Sequence, residues 1–175
     1  MANLDNPRGF RPLMQDGEAP RLTRYYHSAA TAIFIGDPVV KTGTAHTDKD
    51  STLIVAAAGA TGVVTGVSAS YAAASAGTYV LVYDDPLQEF VGQADTTTTP
   101  AVTDMGANLT FTATAGSTTD GTSNYELDFS TATTTATLSA KVRSLDKRID
   151  NVMGAHADFV VTMNAHTEAD NTAGI

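Results

Sequence analysis

The chain has no cysteine and no tryptophan, and between Lys49 and Lys141 it has no lysine or arginine. The missing cysteine excludes a disulfide framework, a thiolate nucleophile and a thiolate metal site, so stability must come from packing. The missing tryptophan removes the aromatic that a carbohydrate-binding surface uses best. Without basic residues in its middle, a protein of net charge −9 has a purely acidic body. That distribution argues against general nucleic-acid binding, which needs clustered cations to displace counterions from phosphate. No apolar run approaches the length of a membrane-spanning helix, and the first residues lack the basic-then-apolar order of a signal peptide. The expectation is a soluble product made inside the cell, with no membrane partner.

What is present points to β structure. Threonine makes up about one residue in six, and with valine it favours pleated backbone. The cations cluster at the two ends: Arg8, Arg11, Arg21, Arg24, Lys41 and Lys49, then Lys141, Arg143, Lys147 and Arg148. Two basic ends around an acidic body suit an acidic partner met at both ends, or serve solubility alone.

Residues 1–20 hold Pro7, Gly9, Pro12, Gly17 and Pro20 among apolar residues that follow neither helical nor strand period, which predicts an extended N-terminal arm. Phe10 between Arg8 and Arg11 is an apolar anchor between cations, a combination suited to an interface. Together with Arg21 and Arg24 these residues form the candidate partner-binding set. Residues 21–175 are expected to form a single barrel-like domain.

Within that domain Thr78–Gly92 reads as a central β-hairpin turning at Asp84-Asp85-Pro86. Ala32–Ile35 and Val39–Val40 read as strands about a Gly36-Asp37-Pro38 turn. In Val63–Val67 the inner glycine marks a bulge or bend. Asn108–Ala113 alternates as a half-buried strand with one wet face. Tyr125, Leu127 and Phe129 alternate with Glu126 and Asp128, the clearest such pattern in the chain. Ala140–Leu145 and Phe159–Met163 complete the set, the latter with Phe159, Val161 and Met163 inward. Leu145, Ile149 and Met153 before Gly154 have helical spacing, so Ser144–Met153 is the one helix candidate. The fold class is all-β: a small barrel or sandwich of about eight to ten short strands with an extended arm and at most one short helix.

No constellation of catalytic or metal-binding residues is apparent. Asp84, Asp85, Glu89 and Asp95 fit no calcium loop, and the first two have a turn to make. Glu126 and Asp128 lie on the wet face of their strand, unlike a glycosidase pair. His27, His46, His156 and His166 lack metal-like pairing and read as surface or packed residues. There is no nucleophile elbow, P-loop or dinucleotide fingerprint. The expectation is a protein that is not an enzyme, without cofactor or metal.

Blocks spread along the chain carry a resemblance. They are Met1-Ala2-Asn3 with Pro7-Arg8-Gly9-Phe10-Arg11-Pro12; Ala32 to Val39; Gly62 to Val67; Val82-Tyr83-Asp84-Asp85-Pro86; Gly116-Ser117-Thr118-Thr119; Glu126-Leu127-Asp128; and Asn164-Ala165-His166 before Thr172-Ala173-Gly174-Ile175. In this order and spacing the chain resembles the capsid cement or decoration proteins of tailed bacteriophages. The resemblance implies a β-barrel-like virion subunit with an extended N-terminal arm, bound outside the capsid. There it would bridge neighbouring major capsid subunits, self-associate as a dimer or trimer, and perform no catalysis. Rival expectations are a carbohydrate- or host-binding β-module and a phage tail or connector protein.

Overall fold

The computed structural model describes residues 3–14, 17–45, 51–55 and 63–169. Among them are eleven strands, one 3-10 turn at Val102–Asp104 and no α-helix. In chain order the strands are β1 (Arg11–Pro12), β2 (Leu22–His27), β3 (Pro38–Ala45), β4 (Ser51–Val55), β5 (Gly66–Ser68), β6 (Thr78–Tyr83), β7 (Glu89–Gln93), β8 (Asn108–Thr112), β9 (Glu126–Thr133), β10 (Ala140–Leu145) and β11 (Asp158–Met163). The all-β expectation holds.

The strands divide into two sheets. β2, β4, β3, β5 and β6 close into a small barrel, and β1, β7, β11, β10, β8 and β9 form a six-stranded sheet in that order. All neighbours are antiparallel except β2 and β4, whose parallel pairing is the one register Tyr26 to Thr52. The six-stranded sheet curls until Ala94, just past β7, bridges Leu127 on β9. Curling brings its aromatic residues to one interior: Phe90, Phe111, Tyr125, Phe129 and Phe159, with Leu109, Leu127, Val142, Val161 and Met163. The barrel encloses a smaller cluster of Tyr25, Ile33, Val39, Ala72, Val80 and Val82.

The Asp84-Asp85-Pro86 turn does not make the expected hairpin. β6 pairs with β2 and β5, whereas β7 pairs with β1 and β11, so the turn carries the chain from one sheet to the other. Asp84 anchors that crossing from a buried position: it accepts hydrogen bonds from Arg21 Nε at 3.0 Å and the Tyr25 hydroxyl at 2.9 Å. On β6, Val80 and Val82 are buried while Leu81 is exposed.

The Ala32–Ile35 run forms isolated bridges, Ile33 to Ala72 and Ile35 to Thr122, instead of a strand. Gly66 opens β5, where a Cβ would stand 2.1 Å from the Tyr83 carbonyl oxygen, so the close approach of β6 requires glycine. β8 has no wet face, because Asn108 donates to the Thr135 carbonyl at 3.0 Å and the Thr110 amide to Thr131 Oγ1 at 2.9 Å. On β9 the alternation is as expected, with Tyr125, Leu127 and Phe129 buried. β11 is buried along its whole length, so its inward and outward faces are both covered.

The helix expected over Ser144–Met153 is absent. β10 runs into Leu145, and the rest is the loop returning to β11. Asn151 imposes the loop: its Nδ2 donates to the carbonyls of Asp146 and Asp158, and its Oδ1 accepts from the Asp158 amide. An asparagine side chain with three local backbone partners outcompetes a helical turn. Ile149 and its helical spacing are left fully in solvent.

Candidate functional site

The N-terminal segment lies against its own subunit. The Phe10 amide donates to the Gly36 carbonyl at 2.9 Å, β1 pairs with β7, and the Leu13 amide donates to the Glu89 carbonyl at 2.9 Å. Phe10 is 1% exposed, with its ring centroid 4.9 Å from that of Phe111. The anchor expected for a partner is therefore part of the subunit's own core. The physical reason is burial: the aromatic interior offers a ring more contact than any local structure in the segment.

The four arginines of the candidate set do not converge. Arg8 and Arg11 line a polar cavity of about 350 Å³, which they share with Asn3, Leu4, Arg148 and His156 among others. Arg11 pairs with Asp158 at 3.2 Å, and Arg148 reaches the same carboxylate oxygen. Among the described residues Arg8 has no carboxylate partner. Arg21 instead engages Asp84, and Arg24 stacks over the Tyr79 ring at 4.2 Å on the barrel wall. Burial pushes the Asp84 carboxyl up, but the hydrogen bonds from Arg21, Thr23 and Tyr25 outweigh it and hold the group below its ordinary range.

The cavity is built where three distant segments meet. Asn3 Nδ2 donates to the carbonyls of Val152 and Ala155, while its Oδ1 accepts from the Val152 amide at 3.0 Å. Gln93 Nε2 donates to the carbonyls of Leu4 at 3.0 Å and His156 at 3.1 Å, and its Oε1 accepts from the Asn6 amide at 2.9 Å. Leu4, Ile149 and Val152 are exposed along these same segments. A second cavity of about 210 Å³ is lined by Phe34, Asp37 and Tyr125 among others. Asp37 is buried there, with Oδ2 accepting from the Phe34 amide at 2.8 Å.

The histidines differ among themselves. His27 and His166 are buried, and His46 lies outside the described residues. His156 stands 3.5 Å from Asp5, and both have a ligand atom near Glu126, all within 4.8 Å of one another. Sequence spacing missed this grouping because its members come from residues 5, 126 and 156, far beyond any local motif. Glu126, read as a solvated strand carboxylate, is half-buried, and burial, then Asp5 and Asp95, push its carboxyl up to about 7.

No protein-family model, curated protein or solved structure matches the chain.

Proposed function

We propose that the protein is a structural component of a tailed-bacteriophage virion that binds the capsid exterior and cements neighbouring major capsid subunits. In this reading it associates with copies of itself on the capsid, acts without catalysis, and binds neither nucleic acid nor membrane. The observation that carries the reading is a face that sets Arg8, which has no carboxylate partner among the described residues, beside exposed aliphatic side chains. Arg8 lines the cavity with Arg11, Arg148, Asp150 and Asp158, and Leu4, Ile149 and Val152 are exposed along the segments that build it. Exposed aliphatic side chains beside arginines suit a protein interface. At Arg8, charge complementarity favours a carboxylate of the partner. Because residues 3–14 lie on their own subunit, the adhesive element in this reading is an assembled face and not a free arm.

The test is co-sedimentation with capsids stripped of this protein. Arg8→Ala combined with Ile149→Asp alters one unpaired cation and one fully exposed side chain, so the fold should survive while capsid binding is lost. The contribution of Arg8 should be greatest at low ionic strength. Full binding by the folded double variant would place adhesion elsewhere.

A further inference from the structure

We propose that Asp5, Glu126 and His156 bind one divalent cation of the zinc class, which clips the N-terminal segment to β9 and to the loop before β11. Each residue offers one ligand atom, and the three atoms lie within 4.8 Å of one another. Zinc bonds of about 2.0–2.2 Å place tetrahedral ligands roughly 3.4 Å apart. The donors therefore need to close by little more than about an ångström, and the Asp5 carboxylate already stands 3.5 Å from the His156 ring.

A separate observation points to a missing ligand. Nδ1 of His156 is enclosed and has no hydrogen-bond partner, although Asp5 Oδ1 stands 3.5 Å away. An enclosed ring nitrogen without a partner is unfavourable, and a metal ion satisfies it with the imidazole neutral. The carboxylates of Asp5 and Glu126 converge on that ring, and the neighbouring Arg11 and Arg148 are engaged elsewhere, with Asp158.

The surroundings are built to hold the donors in place. Gln93 fixes the backbone on both sides of Asp5, through Leu4 and Asn6, and the His156 carbonyl as well. Such outer contacts orient metal ligands in known sites. One imidazole with two carboxylates matches Zn²⁺ and its first-row neighbours, whereas Ca²⁺ and Mg²⁺ favour oxygen ligands alone. Three protein ligands leave a fourth position for water. The site is independent of the capsid reading, since it requires only the isolated subunit.

The experiment is titration of the chelator-treated full chain with Zn²⁺, followed by calorimetry and by thermal melting. One ion per chain is expected, with a rise in melting temperature as the site fills. Glu126→Gln and His156→Gln should each weaken binding by at least about tenfold. Glu126→Gln keeps the size of the side chain, so the metal-free variant should remain folded while losing the zinc response. A merely structural role for Glu126 would leave that response in place. Absence of saturable binding, or binding unchanged in both variants, would overturn the proposal.

Discussion

Gly92 makes room for Phe10: a Cβ built on Gly92 would stand 2.5 Å from Cε1 of the Phe10 ring. A bare backbone on β7 is thus the seat of the one aromatic that the N-terminal segment contributes to the core. Phe10→Ala is expected to lower stability by about 3–5 kcal/mol in denaturant unfolding. Gly92→Ala should be destabilising in the wild type and better tolerated in the Phe10→Ala background, where the clash is gone. Strict additivity of the two would show that the ring does not fill that space.

Phe129 packs its ring on Phe159, with centroids 4.7 Å apart. Phe129→Ala should also lower stability by about 3–5 kcal/mol. Thr133→Ala, at the exposed end of the same strand, should stay within about 0.5 kcal/mol. Equal effects in urea melts would contradict the facing of β9.

Two carboxyls, Asp37 buried and Glu126 half-buried, set the pH response of the metal-free protein. Burial, then Asp5 and Asp95, raise Glu126 to about 7, and burial raises Asp37 to about 6 against hydrogen bonds from Ser123 and Phe34. Both groups hold a proton more tightly folded than unfolded, so their contribution is full below the unfolded values and is lost as pH rises towards 7. Melting temperature in chelator should fall across that window, and Glu126→Gln should flatten the upper part of the fall. A steady rise would refute the assignment.

Asp84 acts in the opposite direction, because its folded carboxyl lies below its ordinary range. Its contribution is present above the unfolded value and is lost as pH falls below about 4. Asp84→Ala removes the acceptor of Tyr25 and Arg21 and should reduce stability by about 1–3 kcal/mol. Arg21→Ala should cost less, since that side chain is 60% exposed, and its effect should shrink with salt. Chemical denaturation at two salt concentrations distinguishes these outcomes.

The strands whose burial alternates locally were legible in the sequence, as Tyr125, Leu127 and Phe129 illustrate. Period-2 patterning reports which face is covered and needs no distant information. The turn at Asp84-Asp85-Pro86 was legible as a reversal, but its residues do not specify which sheet each flanking strand joins. That choice depends on Tyr25 of β2, and Arg21 just before it, gripping Asp84. The absent helix has a similar cause, since the side-chain bonds of Asn151 to Asp146 and Asp158 override the helical spacing of Leu145, Ile149 and Met153. The cavity was half legible: Arg8 and Arg11 stood out by charge, whereas Arg148 and His156 join them only through tertiary folding.

The core that receives Phe10 is otherwise made by residues from Val64 to Met163. During synthesis, Phe10 must wait for Gly92 on β7 and Phe111 on β8 before its ring has a seat. Such long-range closure slows folding and delays commitment. Without β11, one edge each of β7 and β10 would be unpaired and the core around Phe10 would lack Phe159 and Val161, features that mark a nascent protein for aggregation or removal. Burial of Phe10 thus ties the N-terminal segment to strands made much later in the chain.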